Sequence, residues 1–316
     1  MLQDTVPLKK KSSKQKFVAK NKSVRKHIET ILVHEESTKF SRDVLKADRF
    51  YFVPDDQKKE AEPQKIPLST LDVIDTQIGC ALVDANGREI CILIPRATVL
   101  LSKGKNNLKN DLHLMKFLTK EKGTARGKNR EGKTVKEVSI GVKAARNKHG
   151  FITSSLKITK PLTWSRISKY ARQTEYVSKE YIQQGLLVGL QEAHKVIGWS
   201  TLDTSRIFSA LSVSCDYYSP AHVDEDFFFS VFQCVVDDEK SSYEIESPII
   251  QHFCFPSFGK AIAIRNGDVL LFNPTVYHCL SKKESSFMDS NVFVNSFYLK
   301  SKIVGLNDNR IEFDNK

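Results

Sequence analysis

The sequence predicts an α+β chain in which short strands build a sandwich or barrel in the C-terminal half, preceded by a helical stretch and a basic N-terminal extension. Three observations predict it. Short runs rich in aromatic and β-branched residues recur between residues 227 and 304. An apolar stripe at helical spacing runs through residues 178–198. Lysine and arginine crowd into the first half of the chain.

The strands follow in order. Phe227 to Val236 (FFFSVFQCVV) is aromatic and β-branched and bounded by charge, the pattern of a buried strand. Ile249 to Phe255, Ala261 to Ile264 and Val269 to Phe272 come next, and Asn291 to Val304 (NVFVNSFYLKSKIV) reads as one more long strand. Between the second and third of these lies Arg265-Asn266-Gly267-Asp268. Asn-Gly flanked by apolar runs is a strong hairpin signal, so two antiparallel strands are expected to meet there. The same signal at Asn86-Gly87 predicts a hairpin of Cys80–Val83 with Glu89–Ile94. For the helix, Ser178 is the expected N-cap and Glu180 stands in the first turn. Tyr181, Ile182, Leu186, Leu187, Leu190, His194 and Ile197 then form one face up to Gly198, with His194 a core residue.

Charge divides the chain. Residues 1–160 hold 34 Lys and Arg against 18 Asp and Glu, and residues 161–316 hold 15 against 19. Residues 1–30 carry 9 cations against 2 anions and few apolar side chains, too little apolar surface to offset the entropy of ordering. Residues 101–160 carry 16 against 4. These two segments are the expected contacts for the phosphate backbone of DNA or RNA, because Lys and Arg release condensed counterions on binding. Aromatics for base stacking are sparse in residues 101–160, only Phe117 and Phe151. The expected division is a largely disordered tail and linker over 1–66, a basic part with a hairpin over 67–160, and helical support plus strand core over 161–316.

Six cysteines are scattered without C-x-x-C pairs, which argues against a zinc site or a disulfide framework. No apolar run approaches the roughly 20 residues a membrane span needs. The N-terminus lacks a secretory apolar core, and Lys9-Lys10-Lys11 with Lys14 and Lys16 matches a nuclear address, so nucleus or cytoplasm is the expected location.

The chemistry centres on His222 and Asp224, answered by His278. Two imidazoles and one carboxylate are the ligands of a facial iron site, which leaves the opposite side of the metal open. The H-x-D pairing alone is weak, since this composition yields about one by chance, and His27 with Glu29 and His34 with Glu36 are decoys in a charged stretch. On an extended backbone His222 and Asp224 point the same way and can grip one ion. The 54 residues from Asp224 to His278 leave room for about four strands before the chain returns to the metal.

With YYSPAHVDEDFFF, RNGDVLLFNPTVYHCLS and VNSFYLKSK, residues Phe208 to Val304 resemble the double-stranded β-helix (jelly-roll) core of the Fe(II)/2-oxoglutarate-dependent dioxygenases. The resemblance covers about a third of the chain. It implies iron ligands at His222, Asp224 and His278, Fe(II) with 2-oxoglutarate as co-substrate, and hydroxylation or oxidative demethylation as the outcome. The family usually presents an Arg on the last core strand as Arg-x-Ser for the distal carboxylate of 2-oxoglutarate. Here the triplet is Val294-Asn295-Ser296. Ser296, Tyr298 and Lys300 share one face by alternation, which makes Lys300 the substitute cation, Ser296 and Tyr298 hydrogen-bond partners, and Arg265 the reserve. Tyr218, just upstream of the triad, is a further pocket residue. Three substrate readings stand: a modified or methylated nucleic-acid base, as in the TET and J-binding-protein type enzymes; a protein or small molecule, as in prolyl hydroxylases; or a metal-free jelly-roll that binds nucleic acid.

Overall fold

A computed structural model describes residues 29–32, 68–85, 89–97, 105–122, 124–128, 134–144, 151–153, 159–181, 207–224, 226, 229–237, 247–299 and 311–313. The strands form two sheets. The larger sheet contains β1 (Glu29–Leu32), β3 (Cys80–Val83), β4 (Glu89–Ile94), β5 (Thr124–Lys128), β6 (Thr134–Ala144), β7 (Phe151–Thr153), β8 (Ala210–Cys215), β10 (Ser230–Asp237), β13 (Val269–Phe272), β15 (Asn291–Tyr298) and β16 (Ile311–Phe313). Its order is β1-β3-β4-β13-β10-β15-β8-β6-β7-β16, with β5 on β6. The smaller sheet runs β2 (Asp72–Ile74), β12 (Lys260–Ile264), β11 (Gln251–Phe255), β14 (His278–Leu280), β9 (Ser219–His222).

From β8 onward the chain winds between the sheets: β8 large, β9 small, β10 large, β11 and β12 small, β13 large, β14 small, β15 large. That winding is a double-stranded β-helix. Phe232, Cys234 and Val236 of β10 meet Phe253 and Phe255 of β11 and Val292 and Val294 of β15 between the sheets. Val231 and Val235, one residue out of phase, face the opposite way with Phe293 and Phe297. Both faces of β10 are therefore buried, which is why its sequence reads as a continuous apolar run.

The outer face of the large sheet is covered by two helices, α1 (Lys105–Lys122) and α2 (Pro161–Tyr181). Leu114, Met115 and Leu118 of α1 and Trp164, Ile167, Tyr170 and Ala171 of α2 supply the apolar surface. A polar thread runs through this layer. The Tyr170 hydroxyl donates to Gln233 Oε1, Gln233 Nε2 donates to Thr174 Oγ1 at 3.3 Å, and Asn295 Nδ2 donates to the Tyr170 oxygen at 3.1 Å. Gln233, the polar interruption of β10, is thereby satisfied at both amide atoms, whereas Asn295 on β15 is satisfied at Nδ2 and its buried Oδ1 takes no partner among the described residues.

The structure departs from three sequence expectations. Ser178 is not an N-cap: it lies inside α2, and its hydroxyl donates back to the Thr174 carbonyl at 2.8 Å, which ties up the side chain within the helix. The rest of that stripe, including His194, lies outside the described residues. Asn266-Gly267 does not join a hairpin, because β12 and β13 belong to different sheets. The turn crosses between them instead, Gly267 supplying a φ of 83°. Asn266 Oδ1 accepts from the Val236 amide at 3.1 Å, and the Asp268 carboxylate accepts from the amides of Arg96 and Arg265, both at 2.8 Å. Helix α1 stands where only a basic segment was expected. Its apolar residues are diluted by lysine and asparagine. Strands β3 and β4, by contrast, pair antiparallel as expected, while residues 86–88 between them lie outside the described residues.

Strands from before residue 160 extend both flanks of the core: β4 pairs with β13 on one side and β6 with β8 on the other. The second junction is tight. Gly141 has a φ of +100°, and a Cβ there would sit 2.2 Å from the Ser209 carbonyl oxygen. Among the described residues, no helix is long and apolar enough to cross a membrane.

Candidate metal centre

Strands β9 and β14 are antiparallel neighbours, and His222 and His278 are register partners across them. Two positions beyond His222, the Asp224 amide donates to the Pro274 carbonyl at 2.8 Å, which pins the end of β9 to the turn before β14. The turn is built by Asn273, whose Oδ1 accepts from the Thr275 amide and hydroxyl at 3.0 and 2.7 Å. Residues 54 positions apart in sequence thus converge.

One donor atom from each of His222, Asp224 and His278 lies within 4.8 Å of the others. His222 Nε2 is 3.7 Å from Asp224 Oδ1, and His278 Nε2 is 3.5 Å from Asp224 Oδ2. Donors that each stand about 2.1 Å from one ion at right angles are about 3 Å apart, so a small inward movement seats a first-row metal.

The orientation of His278 is set by its surroundings. Its Nδ1 lies 2.8 Å from the Val276 carbonyl, so Nδ1 carries the proton and Nε2 presents its lone pair to the site. The ring stacks on Phe253 at 5.5 Å and 10°, and Phe272 lies against it at 4.8 Å. His278 is buried, whereas His222 and Asp224 keep about a third of their side-chain surface exposed. The metal position is therefore walled on the β14 side and open to solvent on the other.

The remaining expected site residues are distributed as follows. Ser296 and Tyr298 lie in the alternation of Val292 and Val294, which pack in the core between the sheets. Ser296 stands opposite Phe232 on β10 and Ser212 on β8. Tyr298 is buried among carboxylates. Burial, followed by the charges of Asp226 and Glu137, pushes its phenol well above the usual range, Asp224 adds to this, and a hydrogen bond with Ser139 opposes it. Arg265 is turned to the β2 edge of the small sheet, where its Nε donates to the Ser247 carbonyl at 2.9 Å and its Nη2 pairs with Asp75. Tyr218 precedes β9 at the end away from His222, four residues or about 13 Å along the strand. There it lies under Lys282 Nζ at 5.3 Å. Lys300 lies outside the described residues.

Two contributions were not read from the sequence. Phe253, Phe272 and Val276 hold His278 but carry no local signature of that role. Glu137 and Ser139 come from β6, about 85 residues upstream of the triad, and reach the core through the pairing of β6 with β8. No motif marks them.

The donor set fits a divalent iron. The arginine already missing at Val294 is not replaced at its immediate inner-face neighbours on β8, β10 and β15, which are Ser214, Cys234 and Ser296.

No protein-family profile matches the chain, and no curated protein matches it. Solved structures do. The structure of NgTET1 in complex with 5mC DNA matches with a TM-score of 0.53 at 10% identity, covering 95% of this chain and 92% of that one. A 2OG-Fe(II) oxygenase-family oxidoreductase from Burkholderia pseudomallei matches at 0.38 and 12% identity, covering 66% and 85%. A prolyl hydroxylase from Trichoplax adhaerens in complex with a peptide fragment matches at 0.38 and 10% identity, covering 69% and 86%. At the first of these scores the comparison shows a shared fold over nearly the whole chain. The protein shares its double-stranded β-helix fold with that structure, and its triad stands where β9 and β14 pair at the edge of the smaller sheet.

Proposed function

We propose that this protein is an Fe(II)- and 2-oxoglutarate-dependent dioxygenase that hydroxylates or oxidatively demethylates a nucleic-acid base. The observation that carries the reading is the convergence of His222, Asp224 and His278 between the two sheets of a double-stranded β-helix. When bound, iron with 2-oxoglutarate and dioxygen supplies the oxidising power to attack a C–H bond. The protein supplies geometry. Val276 fixes the tautomer of His278, Phe253 and Phe272 exclude water behind it, and the exposed side of His222 and Asp224 admits the substrate. Lys300, next in the alternation after Tyr298, is the cation we assign to the distal carboxylate of 2-oxoglutarate.

The nucleic-acid substrate is supported by the basic first half of the chain and by similarity in fold to a TET structure bound to 5mC DNA. Residues 1–30 and 101–160 are the phosphate contacts in this reading, and nucleus or cytoplasm the location. Only part of this surface is described, in α1, β5, β6 and β7. A base reaches the metal from single strands or after leaving its stack. The test is anaerobic titration with Fe(II) and 2-oxoglutarate, followed by admission of oxygen and measurement of succinate with and without oligonucleotides. Succinate formation stimulated by an oligonucleotide is expected. None under any condition overturns the oxygenase.

A further inference from the structure

The strand that flanks the core beyond β8 brings a carboxylate to the face of Tyr298, whose phenol feels the charge of both Glu137 and the triad's Asp224. On its inner face β6 presents Glu137 and Ser139, and the register runs Ser139–Ser212–Ser296 across β6, β8 and β15. Ser212 Oγ donates to Glu137 Oε1 at 2.7 Å, and Ser139 Oγ donates to the same oxygen at 3.3 Å. Ser139 also hydrogen-bonds Tyr298, whose phenol feels the charges of Asp226, Glu137 and Asp224. Asp226 in turn accepts from Ser230 Oγ at 3.0 Å at the start of β10.

The triad locates the site independently of this wall, and the wall decides what enters. Ionised carboxylates accept hydrogen bonds and repel anions, so a second carboxylate brought against Glu137 is disfavoured. The distal carboxylate of 2-oxoglutarate is a poor occupant. An uncharged or cationic group rich in N–H is a good one.

Resting on the nucleic-acid reading above, we infer that the Glu137–Ser139–Tyr298 wall receives the amino edge of the substrate base, with Glu137 accepting its N–H. Bases that carry an exocyclic amino group are then selected over those that carry a carbonyl there. A base lacking the amino group leaves Glu137 facing an oxygen, and such mismatches are rejected strongly in a buried site.

5-Methylcytosine and thymine make the test, since both carry the 5-methyl group and differ by amino against carbonyl at C4. Affinities for two single-stranded oligonucleotides that differ only at this base are measured by fluorescence anisotropy, anaerobically with Fe(II) and 2-oxoglutarate present. The wild-type protein is expected to favour the methylcytosine strand by about tenfold. Glu137→Gln keeps an acceptor for Ser212 and Ser139 and is expected to bring the ratio below about two. Ser139→Ala provides a second variant should the first fold poorly, with the ratio again reduced. An unchanged ratio, or equal loss on both strands, overturns the inference. So does a tenfold tightening of 2-oxoglutarate in Glu137→Gln at constant ratio, which puts the co-substrate against this wall. A ratio that collapses in a protein that never forms succinate retains the base-recognition wall and rejects the oxygenase.

Discussion

Lys283 Nζ lies 3.1 Å from Asp216 Oδ1, with side-chain exposures of only 8% and 10%. The lysine also donates to the carbonyls of Met288 and Ser290, and the same Asp216 oxygen accepts from the Val292 amide. One buried pair thus closes the barrel at the end where β8 turns into β9 and β15 begins. Asp216 holds a φ of 54°, an uncommon conformation for a residue other than glycine. Replacing Asp216 by alanine leaves a buried ammonium without its counter-charge, and a loss of about 3–5 kcal/mol is expected in denaturant unfolding. Asp216→Gly, which relieves the backbone but removes the same carboxylate, is expected to be destabilised as well. Recovery of wild-type stability by that variant would show that backbone strain, and not the ion pair, dominates.

The triad makes a prediction that is independent of substrate. A metal that binds only the folded state raises stability by about 2.7 kcal/mol at a concentration one hundred times its dissociation constant. Wild-type protein is therefore expected to melt at higher temperature when Fe(II) is added anaerobically. His278→Ala and Asp224→Asn are expected to lose that shift, because each removes one of three donors. A variant that keeps the full shift would show that its residue is not a ligand.

Gly141 tests the junction between the barrel and β6. A methyl group there meets the Ser209 carbonyl at 2.2 Å, and the positive φ adds strain of about 1–3 kcal/mol. Gly141→Ala is expected to lower thermal stability and to loosen β6 from β8, seen as faster amide exchange in β6. Since β6 carries Glu137, the variant is also expected to lose base discrimination. Unaltered exchange would mean that the strand accommodates the methyl group by a local shift.

His252 governs stability in mild acid. Burial lowers its pKa from the ordinary 6.5 to about 4; Asp75 opposes this and Arg265 assists it. Between those values the unfolded chain takes up a proton that the folded protein does not, so stability rises with pH across the window and is lost as pH falls through it. The full effect is on the order of 3 kcal/mol. His252→Gln is expected to flatten stability against pH between about 4 and 6.5, measured by urea titration at a series of pH values. A slope equal to that of wild type would assign the acid sensitivity to other groups.

Much of the fold was legible from short stretches. Cys80–Val83 and Glu89–Ile94 announce a hairpin, and the run after Phe227 announces a strand buried on both faces, because side-chain alternation and turn chemistry are local properties. The H-x-D spacing with a distant histidine was legible for the same reason: an extended backbone aims residues two apart in one direction. Helix α1 was hidden because lysine and asparagine blur its stripe, and Asn266-Gly267 misled because a two-residue turn serves equally to pair strands or to pass between sheets.

By itself, the sequence determined the donor set of the candidate metal centre, the periodicity of its strands and the absence of the usual arginine at Val294. Tertiary structure decided which sheet each strand joined, that His278 turns Nε2 and not Nδ1 toward Asp224, and that Glu137 arrives beside Tyr298 from a strand outside the barrel. The physical reason is range. Backbone geometry sets the direction of a side chain within two or three residues, whereas the partner of a strand is chosen by which surfaces can be buried together, and that choice is made only when the whole chain has folded.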